Sequence, residues 1–300
     1  MLRFIAQRIL FTALVLVGIV FAVYLGMDMA SNSEVEEPDY DLLNYSDEAW
    51  QNTKNFFGGI LRGDWGTYIA PSGVEFVRDI LRDAFVNSMG LLAFALSGAA
   101  LAGLLLGGTA ALRKQASLGT LTLTIIGISA PSFFVALLLQ RVVIWHTRTY
   151  GQTLSVGGFG WDYEHMLLPV LVLSARPLAY LTRSSFLSFG RIMEEDFIRT
   201  AFAKGLRRHT VINVHALRNI AIPVLTAIGV SLRFSLGSLP VVEFFFGWPG
   251  MGFHLLNAIN DRQTPVVVAL AFIIGSTLLL VNLALDILYR LVDPRLREKA

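Results

Sequence analysis

Six stretches of this chain are too long, too apolar and too poor in charge for an ordinary soluble fold. They run over Ile9–Met27, Phe85–Leu112, Leu118–Trp145, Met166–Leu187, Ala221–Val242 and Pro265–Leu291. A helix rises about 1.5 Å per residue, so about 20 residues cross a hydrocarbon core of about 30 Å. Inside that core every backbone N–H and C=O must be bonded within the protein, which continuous helices achieve. The chain therefore reads as an all-α polytopic membrane protein of six transmembrane helices. Composition agrees: 54% of the 300 residues are hydrophobic and 15% charged, with a mean hydropathy of +0.60. Arg3 and Arg8 before the first apolar run resemble a signal peptide. Its length and the lack of an A-x-A pattern near Asp28–Ala30 favour an uncleaved anchor. With no cysteine in the chain, disulfides and thiolate metal sites are excluded.

Basic residues set the expected orientation. With the N-terminus in the cytoplasm and six spans threaded, the cytoplasmic segments hold fifteen Lys and Arg and the external ones seven. The positive-inside rule selects this topology, with both termini cytoplasmic. The external loop Asp28–Ala84 carries twelve carboxylates and four cations, a net charge of −8. Its densest cluster, Glu34, Glu36, Glu37, Asp39 and Asp41, is either a solvated face or a contact for an external protein. Trp50, Thr53, Phe57, Ile60 and Leu61 recur at helical spacing and predict a helix on the outer membrane surface. Pro71, Ser72 and Gly73 break the chain before Phe76–Leu81 leads into the second span. That span is dense in small residues, from Gly98 to Gly108, which lets helices approach closely. On this basis residues 1–84 form an anchor helix with its loop, and 85–300 a five-helix core.

The charged stretch EEDFIRTAFAKGL, Glu194 to Leu206, lies between the fourth and fifth spans. Glu194, Glu195 and Asp196 suit the positive end of a helix dipole. Lys204 sits at the other end and Gly205 follows as a stop. Phe197 with Ala201, and Ile198 with Phe202, are four apart and predict one apolar ridge. Two readings stand: an amphipathic connector on the membrane, or a docking helix for a soluble protein. On the outer side, EFFFGWPGMG at 243–252 cannot be one continuous helix. It is either a partly re-entrant turn with Trp248 and Pro249 packed in protein, or an interfacial turn in an aromatic belt.

Chemistry-bearing sets are sparse. His146, His165, His209, His215 and His254 fall in loops or at span ends, and no G-x-x-x-x-G-K-[ST] phosphate loop occurs. Any ATP must then be bound by another chain, and the chain reads as a transport subunit rather than an enzyme. Intramembrane carboxylates are few: Asp286 lies toward the cytoplasmic end of the last span and Glu243 at the outer end of the fifth. Two cations fall near the midplane, Arg176 and Arg233, where a charge costs about 2.5–3.5 kcal/mol on insertion scales. Each either pairs with carboxylates or carbonyls of a neighbouring subunit or meets an anionic substrate group. An ion-driven secondary transporter would call for midplane carboxylates, and an intramembrane enzyme or scaffold for a nucleophile–base pair or metal cluster.

RTAFAKGL at 199–206, followed by HALRNIAIPVLT at 215–226, resembles the cytoplasmic loop of ABC-importer permeases. More narrowly, the chain resembles the first-permease (B-type) branch of the dipeptide/oligopeptide/nickel family. GDWGTY at 63–68, SAPSFFVALLL at 129–139, HMLLPVLVLSARPLAYLTRSS at 165–185, VVEFFFGWPGMGFHLLNAINDRQTPVV at 241–267 and DILYRLVDPRLR at 286–297 agree in collinear order. The resemblance implies a type I importer permease in a prokaryotic inner membrane. A homologous second permease, two cytoplasmic ATPases that bind ATP and Mg, an external substrate-binding protein and membrane lipid would be its partners. It implies no cofactor on this chain and no nucleic acid. It places ATPase coupling at Glu195, Asp196, Arg199, Thr200, Ala201, Ala203, Lys204, Gly205 and Leu206, within a loop at about 183–220. An external gate would be built from Glu243, Phe246, Trp248, Pro249, Gly250 and Gly252. Phe202 stands where the family more often has arginine, Tyr180 replaces another frequent arginine, and Arg176 and Arg233 lie outside the family pattern.

Overall fold

A computed structural model describes residues 2–32, 42–70, 73–112, 117–151 and 154–292. The acidic cluster at 34–41, the Pro71–Ser72 turn and the basic pair Arg113–Lys114 lie outside these residues, as does the chain after 292. Eleven α-helices are described: α1 (Leu2–Asn32), α2 (Leu42–Ile60), α3 (Val77–Leu112), α4 (Ser117–Ser129), α5 (Ser132–Tyr150), α6 (Tyr163–Met193), α7 (Asp196–Ala203), α8 (Arg208–Thr210), α9 (Leu217–Phe246), α10 (Met251–Asn260) and α11 (Thr264–Val292). A π-helical turn, Val211–Ala216, joins α8 to α9. Among the described residues, five helical segments are long and apolar enough to cross a bilayer unbroken: Ala6–Ser31, Val77–Leu112, Tyr163–Met193, Arg208–Phe246 and Thr264–Leu288.

The expected third span, Leu118–Trp145, is two helices. α4 and α5 pass the same test only as a pair, bent by 104° at Ala130–Pro131. Pro131 has no N–H to give the Gly127 carbonyl, and its ring crowds the preceding turn. The last bond of α4 is Ala130 N–H to the Ile126 carbonyl, 3.0 Å, and α5 restarts with bonds to the Pro131 carbonyl.

The chain divides into two compact units, Met1–Ser88 with Pro249–Ala300, and Met89–Trp248. In the first, α1 lies along α11 and α2 folds back on α1. The apolar face of α2 packs against protein. Phe56 and Phe57 meet Phe272 of α11 at 5.7 and 5.8 Å between ring centres, and Phe21 of α1 meets Trp50 at 6.3 Å. Thr53 is buried and its hydroxyl returns to the Ala49 carbonyl. A feature not expected from the sequence is a short antiparallel hairpin, β1 (Thr67–Ala70) with β2 (Gly73–Phe76). It takes up the residues before α3, which begins at Val77 rather than Phe85. Near the other end of α1, Arg8 is ion-paired with Asp286 of α11 at 2.7 Å.

In the second unit, α6 is the central helix, flanked by α9, α4 and α5. The small residues of α3 serve packing, as their density suggests. A side chain at Gly103 or Gly107 would collide with the backbone of α6 at Leu181–Thr182 and Thr182–Phe186. Ala99, Leu181 and Ala227 close the contact of α3, α6 and α9.

Candidate functional site

The stretch 194–206 folds as expected and is fastened to its own chain. Glu195 is extended at the N-terminal end of α7, and α7 is eight residues long. It ends in a Schellman stop: Gly205 N–H donates to the Phe202 carbonyl at 2.9 Å and Leu206 N–H to the Ala201 carbonyl at 3.3 Å. Gly205 has φ +77°, a conformation that costs other L-residues about 1–2 kcal/mol. The predicted single apolar ridge is split. Ile198 and Ala201 are buried with Phe189, Val211, Ala216 and Ile220, whereas Phe197 and Phe202 are exposed. Glu195, Asp196, Arg199, Thr200, Ala203, Lys204, Gly205 and Leu206 are all exposed. Of the residues expected to meet an ATPase, Ala201 alone faces inward. The inner pair joins the end of α6 to the π-helical turn that opens α9. Arg199 and Asp196 are 3.4 Å apart on the outer face, a weak solvated pair.

The Glu243–Gly252 segment is a second glycine stop with its own supports. Gly247, φ +64°, closes α9: its N–H bonds the Phe244 carbonyl at 3.3 Å and Trp248 N–H the Glu243 carbonyl at 2.9 Å. Glu243 and Trp248 are fully buried, Phe246 is 1% exposed, and Gly250 and Gly252 are buried too. Trp248 is boxed by Phe159 at 5.0 Å and Trp161 at 5.2 Å. Gly158 N–H donates to the Phe246 carbonyl, and Gln140 Nε2 bridges the carbonyls of Val156 and Phe245. These bonds consume the carbonyls that the end of α9 leaves free. Beyond Trp248, in the other unit, Asn87 Nδ2 donates to the Pro249 carbonyl at 2.9 Å and the Ser88 hydroxyl accepts from Met251 N–H at 2.8 Å. Trp248 is therefore packed in protein, while Pro249 is half-buried. Sequence reasoning missed Gln140, Asn87, Phe159 and Trp161. Gln140 had a visible signal, an amide within the apolar run LLLQRVVIW.

The loop that supplies Phe159 and Trp161 is anchored where α6 starts. Asp162 accepts from the N–H groups of Glu164 and His165 and contacts His165 Nδ1 at 2.9 Å. The bond to His165 leads the causes that hold its carboxyl below the usual range. On α10, burial lowers the pKa of His254, opposed by the charge of Asp83.

The two midplane arginines differ. Arg176 is half-buried; its Nε donates to the Ile128 carbonyl at 3.1 Å and its guanidinium lies 5.4 Å from the ring centre of Phe234. It thus finds a carbonyl of its own chain. Arg233, next to Phe234 on α9, is exposed.

Comparison with known proteins gives these features a family. Residues 76–298 match the family model described as "Binding-protein-dependent transport system inner membrane component". The glutathione transport system permease protein GsiC of Salmonella typhimurium (strain LT2) is 34% identical over 243 residues, 80% of this chain and 77% of that protein. The dipeptide transport system permease protein DppB of Escherichia coli (strain K12) is 32% identical over 281 residues, 83% of this chain and 81% of that protein. The family has the type I ABC permease fold, as the sequence implied. With a matched region that takes in both glycine stops, the bent helix pair and the fastened α7, this chain belongs to the inner membrane components of binding-protein-dependent transport systems.

Proposed function

We propose that this chain is one of two permeases of an ATP-driven importer of short peptides. It forms the passage with a homologous second permease in a prokaryotic inner membrane, with both termini in the cytoplasm. Two cytoplasmic ATPases bind ATP and Mg, and an external binding protein delivers the peptide. Similarity to permeases of glutathione and dipeptide transport systems supports the substrate class. The build of α7 carries the coupling role. A helix of eight residues is too short to be stable alone. Its inner pair, Ile198 and Ala201, bolts it to α6 and the start of α9. Its outer residues remain open for an ATPase cleft, so that a movement of the ATPase is transmitted to two spans at once.

On the outer side, the Glu243–Gly252 segment forms part of the gate. Arg233, exposed on α9, is a cation available to a peptide carboxylate. The chain needs no cofactor of its own.

The test is uptake of a radiolabelled dipeptide into liposomes holding the four-subunit complex, with the binding protein outside. Uptake should require ATP and be indifferent to an ion gradient. Phe202→Asp, on the outer face of α7, should leave the permease pair assembled and abolish both uptake and binding-protein-stimulated ATP hydrolysis. Normal uptake by that variant would remove α7 from the coupling route. Uptake driven by an ion gradient without ATP would establish secondary transport instead.

A further inference from the structure

The bend between α4 and α5 leaves a specific backbone group without its helical partner. In a continuous helix the Ile128 carbonyl would accept from the N–H of Ser132, four residues on. At the 104° bend that N–H belongs to the first turn of α5. The Ile128 carbonyl accepts instead from Nε of Arg176 on α6. The same guanidinium rests against the Phe234 ring of α9. One edge and one face of the arginine are thereby committed, and three elements of the second unit meet at one side chain.

We propose that Arg176 is a positioning residue that stands in for the lost backbone donor and holds the third span bent. Two arrangements of this segment compete. Straightened, it recovers the i−4 bonds of Ser132, Phe133 and Phe134 to Ile128, Ser129 and Ala130 but still lacks the bond that Pro131 cannot make to Gly127. Bent, it gives these up, bonds Phe134 N–H to the Pro131 carbonyl instead, and gains a charge-assisted bond at the negative end of α4. The contribution of such a bond corresponds to roughly a tenfold bias in the bent-to-straight ratio. The Phe234 contact makes that bias sensitive to the position of α9, the helix that continues from the π-helical turn beside α7. Neither lysine nor glutamine reproduces the arrangement. Lysine lacks the planar fork and stacking face, and glutamine lacks the charge.

The chain has no cysteine, so an introduced pair can be spin-labelled without background. Leu123 and Val142, 71% and 57% exposed, flank the bend. Along the helix axes they are about 18 Å apart at the observed angle and about 28 Å apart if the segment straightens. In the Leu123→Cys, Val142→Cys complex the short distance should dominate. Arg176→Gln and, separately, Phe234→Leu should each move population to the long distance. Arg176→Lys should recover only part of the short one. Pro131→Ala combined with Arg176→Gln should straighten the segment furthest. Dipeptide uptake per assembled complex should lose kcat with KM held, because the residue acts on geometry and not on substrate.

A parent complex at the long distance, or retention of the short one in both Arg176→Gln and Phe234→Leu, would overturn the proposal. So would a raised KM at unchanged kcat, which would make Arg176 a peptide-reading group. If Arg176→Gln fails to assemble, Phe234→Leu decides alone, since it keeps the charge. The kinetic half rests on the importer reading and the distance half does not, so the two failures are distinguishable.

Discussion

Replacing Ile198 by alanine separates the two faces of α7 in a single experiment. Ile198 has no exposed surface and sits among Phe189, Ala201, Val211, Ala216 and Ile220. Truncating a buried isoleucine to alanine costs about 2–5 kcal/mol, and the low end applies where neighbours can collapse into the space. The site lies at the edge of the unit on an eight-residue helix, so about 2–3 kcal/mol is expected. That is about a 30- to 150-fold rise in the fraction of time α7 spends detached. Hydrogen exchange of amides bonded within the helix, such as Lys204 N–H to the Thr200 carbonyl, should speed up by that factor. Basal ATP hydrolysis should persist in the assembled complex while its stimulation by loaded binding protein falls. Phe202→Ala is the control, because its side chain is 40% exposed. It should leave exchange within about threefold of the parent and weaken association with the ATPase. Unchanged exchange in Ile198→Ala would refute the claim that this buried pair orders α7.

Trp248→Ala should cost about 3–5 kcal/mol, because the ring is fully buried against Phe159 and Trp161; a lowered melting temperature of the detergent-solubilised complex reads it. Gly247→Ala places a Cβ on a residue at φ +64° and should cost about 1–2 kcal/mol in the same assay, with no loss of permease pairing. The Arg8–Asp286 pair predicts that Arg8→Asp lowers membrane-inserted yield and that adding Asp286→Arg restores much of it; a double variant no better than the single would dismiss the pair. His254 has a depressed pKa, so the unfolded chain takes up its proton first as pH falls through about 6.5. Protection of α10 amides should therefore drop below that pH, level off once the lower folded value is passed, and become flat over this range in His254→Asn.

The membrane class, the approximate spans and the position of α7 were legible because each rests on local signals: apolar run length, carboxylates before a short helix, glycine after it. Gly205 was readable as a stop for the same reason. The facing of α7 was not, since four-residue spacing pairs Ile198 with Phe202 as readily as Ile198 with Ala201. Only the neighbours Val211 and Ile220 decide which side is inner. The hairpin before α3 escaped because Thr67–Phe76 is short and interrupted by Pro71–Ser72. The split of the third span was signalled by Pro131 but masked by an apolar run long enough to cross unbroken. The supports of the Glu243–Gly252 segment come from residues far along the chain, as with Gln140 and Phe245, 105 positions apart, and no local pattern encodes such pairings.

Both departures from simple spanning helices raise the same physical demand, and the chain meets it in two ways. Ending a helix away from water frees carbonyls that must find donors within the protein. At α9 the freed groups are taken by backbone N–H groups of Gly158, Gly247 and Trp248 and by the Gln140 amide. Those donors are neutral, short-range and set in a buried aromatic box, so this end has one arrangement and should behave as a rigid block. At α4 a charged side chain on another helix takes the Ile128 carbonyl. That donor is long, half-buried and shared with the face of Phe234. A bond of this kind yields to a small displacement of either helix, since its strength depends on a side chain of several rotatable bonds. Of the two breaks, the one at Pro131 is therefore where a movement that begins at α7 should change the path across the membrane. The Glu243–Trp248 end of α9 should move as a unit or stay still. Spin labels placed on either side of Gly247 should hold one narrow distance through the ATP cycle, whereas those flanking Pro131 should not. A broad distribution at Gly247 with a fixed one at Pro131 would reverse the assignment.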